Sequence, residues 1–252
     1  MKLEGRLCDI NDVTDSQRDQ MFALMERNYL GMRRDVFEND LDEKQWVIQL
    51  VDAQAGDIYG FSTQMVFEAP LQGRTIKALF SGDTIIDPRF WGNNNLIQVW
   101  GRLALALIDT TADAFFPGEL YWFLISKGYK TYRYLPVFFH EFFPRFDIDT
   151  PPDARAVIDA LASTKYPDQY DFKMGVIRAQ EREACRLREG VAEVTPARLA
   201  DPHVRFFEEH NPGHARGDEL CCIAPLTRPN FTRAAYRAIG PEPVLPGVSA
   251  CL

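Results

Sequence analysis

A β-rich apolar run, a polar turn and an apolar helix follow one another directly over residues 75–107. The run ends at Asp87-Pro88, the turn holds Arg89, Gly92 and three successive asparagines, and the helix begins near Leu96. No other stretch limits the fold as tightly. A strand that feeds through a short glycine turn into a helix belongs to a sheet with helices layered on it. The same order leaves main-chain N–H groups at the helix start without intrahelical partners, where a phosphate can sit. The competing reading is an ordinary connection in which Asn94 or Asn95 only caps the helix.

The rest of the chain places this unit. Residues 2–10 read as a first strand, and Met21, Phe22, Leu24, Met25 and Tyr29 fall at helical spacing before Gly31. A polar connector with a short helix leads to two β-rich runs, 46–52 and 58–67, which form a hairpin. After the strand at 76–86 and a helix at 96–108 comes the compact apolar strand 120–126 and a partly helical stretch bounded by Pro136. Beyond it the spacing predicts helices at 152–163, 196–209 and 228–239, strands at 172–179, 187–194 and 219–226, and an extended tail. Adjacent hairpins without regular alternation predict a mixed α/β (α+β) fold, not a doubly wound sheet. The expected division is a core at 1–145 and an extension at 146–252 that completes the same sheet.

Composition removes several classes of function. A net charge of −8 over 252 residues argues against nucleic-acid binding and against anionic membranes. No window has the ~18 apolar residues of a membrane span, and the first residues lack a signal-peptide core. Five irregularly spaced cysteines read as reduced thiols in a cytoplasmic protein. Neither a GxSxG elbow, a phosphate-binding GxxxxGK[ST] loop nor a GxGxxG fingerprint occurs. His210 and His214 are separated by Pro212-Gly213, so they share no helical face and no metal is expected.

In this order of elements, Arg89-Phe90-Trp91-Gly92-Asn93-Asn94 is similar to the pyrophosphate turn Q/R-x-x-G-x-G/A of the GNAT (N-acyltransferase) superfamily. Asn94 stands where that family has a small residue, and asparagine tolerates left-handed backbone better than most. The resemblance implies a mostly antiparallel central sheet flanked by helices. It also implies an acyl-CoA, or the phosphopantetheine thioester of an acyl carrier protein, as co-substrate. Main-chain groups from Trp91 through Gly92, Asn93 and Asn94 to Asn95, beside Arg89, would face the pyrophosphate. The strand edge Thr84-Ile85-Ile86 would pair with the pantetheine arm. The acceptor would be a small-molecule amine, and the extension could form its pocket or a homodimer interface. The other readings are a non-catalytic binding module on the same fold, or an enzyme hydrolysing thioesters.

Amide formation needs a base for the amine proton and an acid for the leaving thiolate. Strict alternation along 76–86 puts Ser81 and Asp83 on one face and Thr84 on the other. Asp83, with Ser81 beside it, is therefore the expected base. Where the family has a tyrosine acid, this chain offers Tyr132 first and Tyr134 second. His140 lies in the aromatic run 134–146 and is a further candidate, against the alternative of a structural histidine.

Overall fold

The computed structural model describes residues 2–112, 120–180, 185–191 and 193–241. Its elements run β1 (Leu3–Asp9), α1 (Asp15–Asn28), β2 (Tyr29–Leu30), α2 (Arg34–Asp42), β3 (Trp46–Asp52), β4 (Ile58–Leu71) and β5 (Arg74–Ile86). They continue with α3 (Asn95–Ala112), β6 (Leu120–Ser126), α4 (Tyr129–Tyr132), α5 (Tyr134–Phe138) and α6 (Pro152–Lys165). The remainder is β7 (Tyr170–Asp171), β8 (Val176–Ile177), β9 (Arg186–Leu187), α7 (Pro202–His210), β10 (Glu219–Pro225) and α8 (Arg233–Ile239).

Eight strands form one sheet in the order β1-β3-β4-β5-β6-β10-β8-β7. Every pairing in it is antiparallel except β5 with β6. The expected mixed, mostly antiparallel architecture is therefore present, and strands from residues 170–171, 176–177 and 219–225 stand in the same sheet. The long strand expected at 172–179 is instead two short ones joined through a turn, because Asp171 accepts the Lys173 and Met174 N–H groups there. The C-terminal tail falls outside the described residues.

Helices cover both faces. Leu96, Val99, Trp100, Leu103, Ala104 and Leu107 recur at helical spacing and bury one side of α3 on Trp46, Ile48 and Leu79. On the opposite face, α6 buries Val157, Ile158, Leu161 and Ala162 against Ile76, Ala78, Phe80 and Phe123. Beside it, α1 and α2 bury Met21, Leu24, Met25, Phe37 and Leu41 against Val47, Phe61 and Ile85.

Two irregularities open this sheet. Pairing between β5 and β6 stops at Ser81–Leu124, although β5 continues to Ile86 and β6 to Ser126. In the β4–β5 pair, Ser62 faces Thr84 and Gln64 faces Ser81, so Thr63 alone opposes Gly82 and Asp83. That is a β-bulge, one extra residue on β5. Glycine is required within it, since a Cβ at Gly82 would lie 2.6 Å from Thr63 Oγ1.

Candidate active site

The bulge changes which side chains share a face. Before it, Ile76, Ala78 and Phe80 point toward α6, and Leu79 and Ser81 toward α3. The extra residue inverts the alternation, so Ile85 joins the α1–α2 face while Thr84 bonds Ser62 on the α3 side. Ser81 and Asp83 are thus separated, contrary to the expectation from strict alternation. Ser81 is buried beneath α3, where its Oγ accepts from Trp122 Nε1 at 2.9 Å and Trp100 Nε1 at 3.2 Å. It donates in turn to Gln64 Oε1 at 2.8 Å. It is a core hub, away from the cleft.

Asp83 instead lines a cleft of about 600 Å³ between the diverging ends of β5 and β6. The floor is apolar, with Phe80, Ile125 and Tyr166; α1 and α2 supply Met25, Phe37 and Asp40. Across the mouth lies a two-stranded strap, β2 paired with β9, which adds Tyr29 and Leu187 to the lining. Burial pushes the Asp83 carboxyl up to about 7, helped by Asp40 and opposed by Lys127 and Lys44. The neighbouring charges are already paired. Lys44 Nζ lies 2.7 Å from Asp40 Oδ1, and Lys127 Nζ 3.3 Å from Glu219 Oε1. Asp83 is left as a carboxyl poised near neutrality, the condition for a general base.

The polar turn forms the other end. Asp87 donates its N–H to Tyr59 O at 2.8 Å, which fixes the phase of β5. By alternation, the main-chain groups of Thr84 and Ile86 point away from β4 into the cleft. Ile86 O accepts the Trp91 indole N–H at 2.9 Å, and the Lys130 ammonium sits 3.6 Å from the centre of that indole. Gly92 turns the chain at φ 92°, a conformation that favours glycine. Asn93 Oδ1 accepts the Asn95 N–H at 2.8 Å, while the N–H groups of Gly92, Asn94, Leu96 and Ile97 have no acceptor among the described residues. Four free amides at the start of an 18-residue helix are groups that can hold an anion.

Of the residues expected at the turn and strand edge, Thr84, Ile85, Ile86, Trp91, Gly92, Asn93 and Asn94 all line this one cleft. Arg89 and Asn95 do not. The Arg89 guanidinium is held by Asp87 at 2.8 and 2.9 Å, and the Asn95 side chain donates to Leu3 O at 2.7 Å.

Of the two tyrosines, Tyr134 reaches the cleft, and burial raises its hydroxyl above the ordinary phenol range. Tyr132 is fully buried outside the cleft, its hydroxyl donating to Pro144 O at 2.9 Å and its ring stacked on Phe206. His140 is exposed and also outside it; its backbone N–H donates to Asn230 O. His214 Nε2 lies 3.0 Å from Glu208 Oε2, and no group of residues able to hold a metal occurs among the described residues. Nor is any described helix long and apolar enough to cross a membrane.

Lys127, Glu219, Asp40, Lys44 and Tyr29 carry no motif, and sequence reasoning passes over them. The one available signal was Lys127, a cation directly after the apolar strand 120–126.

No protein-family model and no curated protein matches the sequence. Solved structures do. A conserved Enterococcus faecalis protein of unknown function, described as a probable N-acyltransferase, aligns at 13% identity and TM-score 0.41 over 56% of this chain and 33% of its own. The Escherichia coli GNAT family N-acetyltransferase YhbS in complex with CoA aligns at 13% and 0.35, over 50% of this chain and 65% of its own. Saccharomyces cerevisiae N-myristoyltransferase with bound myristoyl-CoA aligns at 9% and 0.36, over 49% and 31%. The matched part is therefore less than two thirds of each of those chains. The mostly antiparallel sheet and the turn before α3 agree with the architecture expected from the sequence; the parallel β5–β6 pair that parts beyond Ser81 comes from the structure. The fold is a mixed α/β one, a mostly antiparallel sheet with helices on both faces.

Proposed function

We propose that the chain is an acyltransferase that moves an acyl group from a coenzyme A thioester to a primary amine of a small molecule. The observation that carries this reading is one continuous cleft. It begins at the free amides around Gly92 and Asn94, follows the unpaired edge at Thr84 and Ile86, and ends at Asp83. Anion, extended amide-bearing arm and reacting carbonyl fit those three sections in that order.

In this reading the turn binds the pyrophosphate through main-chain N–H groups, which a side chain in place of Gly92 would crowd. The strand edge orients the pantetheine arm. Asp83, ionised above its raised value, takes the proton of the attacking amine, and the Tyr134 hydroxyl is available to hydrogen-bond the departing sulfur. A phosphopantetheine arm on a carrier protein presents the same thioester without the adenine nucleotide, so it is kept as an alternative donor.

The test is thiol release from acetyl-CoA, longer acyl-CoAs and an acylated carrier, each with and without a panel of primary amines. Amine-dependent release is expected. Release that ignores the amine would favour hydrolysis. No release from any donor would leave a binding module as the better description.

A further inference from the structure

We propose that Lys127 is a catalytic residue whose ammonium stabilises the negative charge expelled onto sulfur when the thioester breaks. The inference rests on the acyltransferase reading above and adds a residue to it.

The parallel register of β5 and β6 runs from Lys77–Leu120 to Ser81–Leu124. Lys127 follows β6 directly, past the point where pairing with β5 stops, and lines the same cleft as Asp83. The strands part at that level, so a thioester drawn between them passes with Asp83 on one wall and Lys127 on the other. Lys127 is held there on two sides. Its Nζ is 3.3 Å from Glu219 Oε1 and 5.7 Å from the centre of the Tyr29 ring. Only about a fifth of its side chain is exposed. Burial works against its charge, but Glu219, Cys185, Tyr29 and Asp83 outweigh burial and hold the ammonium above the ordinary lysine value.

A cation is needed because the available hydroxyl is a poor acid. Burial makes Tyr134 a weaker acid than an ordinary phenol, and thus weaker than the thiol it would have to protonate. It can donate a hydrogen bond without giving up its proton. In the step itself, the amine nitrogen attacks the carbonyl carbon and forms the C–N bond. The C–S bond breaks and its electron pair leaves with sulfur. The amine proton goes to Asp83, and the thiolate is paired with the Lys127 ammonium until solvent or Asp83 protonates it. The other charges facing Asp83 are Asp40 and Lys44 from the α2 end and Glu219 from β10. Asp40 pairs with Lys44 and Glu219 with Lys127, while Arg33 and Lys130 also line the cleft, Lys130 against the Trp91 indole at the turn end.

The test uses CoA itself as probe and needs no acceptor. The thiol pKa of bound CoA is read from thiolate ultraviolet absorbance in wild type, Lys127→Met, Lys127→Arg and the Lys127→Met/Glu219→Gln double variant. The double variant removes both members of the buried pair, so loss of folding is not confused with loss of the cation. In wild type the bound thiol should titrate about one unit or more below free CoA. Both Met variants should return it to the free value, and Arg should keep most of the shift. With an amine found by thiol release, Lys127→Met should lower kcat about 100-fold with the donor KM little changed. The same thiol pKa in wild type and Lys127→Met overturns the assignment while leaving the donor site intact. Failure of wild type to bind CoA overturns the donor-site reading, and Lys127 with it.

Discussion

Replacing Asp83 by asparagine should make the protein more stable at alkaline pH. The folded protein keeps the Asp83 proton up to about 7, whereas the unfolded chain loses it near ~3.9. Between those values the native state binds more protons than the unfolded one, so this group's contribution to stability falls as pH rises, and it stays low above the folded value. A gap of about three units at ~1.36 kcal/mol each sets a ceiling near 4 kcal/mol. Water in the open cleft screens part of that, and about 2 kcal/mol is expected at alkaline pH. Asparagine has nearly the same shape and cannot ionise. Urea unfolding of both proteins from about pH 4 to 9 should show equal stabilities at the acid end and a difference that opens through the window and then levels off. A difference that is constant with pH, or that favours wild type as pH rises, would refute a buried carboxyl that titrates near neutrality.

Two further substitutions separate scaffold from chemistry. Ser81→Ala orphans the Trp100 and Trp122 indole N–H groups and Gln64 Oε1 in the core. At about 1–3 kcal/mol for each buried unpaired group, less relaxation, roughly 3 kcal/mol should be lost, with a Tm about 6–12 °C lower. The specific activity of the folded variant should stay within about twofold, and unchanged stability with lost activity would show that Ser81 acts in the chemistry after all. Trp91→Phe removes the donor that occupies Ile86 O, freeing that carbonyl for the pantetheine arm. Titration with CoA should show about fivefold tighter binding, one hydrogen bond's worth, and weaker binding would mean that the indole instead supports the donor.

Most of the fold was legible because its signals are local. The helical spacing of Met21, Leu24 and Met25, the hairpin of 46–52 with 58–67 and the strand–turn–helix at 75–107 each decide their own conformation. Those elements also bring Thr84, Ile85, Ile86 and the turn from Trp91 to Asn94 to one cleft, while Arg89 and Asn95 stay outside it. What was not legible depends on pairing between distant segments. Period-2 alternation holds only in an uninterrupted strand, and the bulge opposite Thr63 separates Ser81 from Asp83 without leaving a mark in the sequence beyond Gly82. Tyr132 and Tyr134 are two residues apart, yet the break between α4 and α5 sends one to the core and the other to the cleft. Glu219 meets Lys127 only because β10 pairs with β6, a long-range choice that no local pattern records.

The central claim is that the parted strands and the turn before α3 hold an acyl thioester. Calorimetric titration of acetyl-CoA into the wild-type protein and into Gly92→Trp tests it most directly. Saturable one-to-one binding is expected for wild type and none for Gly92→Trp, whose side chain strains the backbone at φ 92° and projects into the open space beside the turn. Equal binding by both proteins would contradict the claim, as would no binding by wild type of any acyl-CoA or of a phosphopantetheinylated carrier.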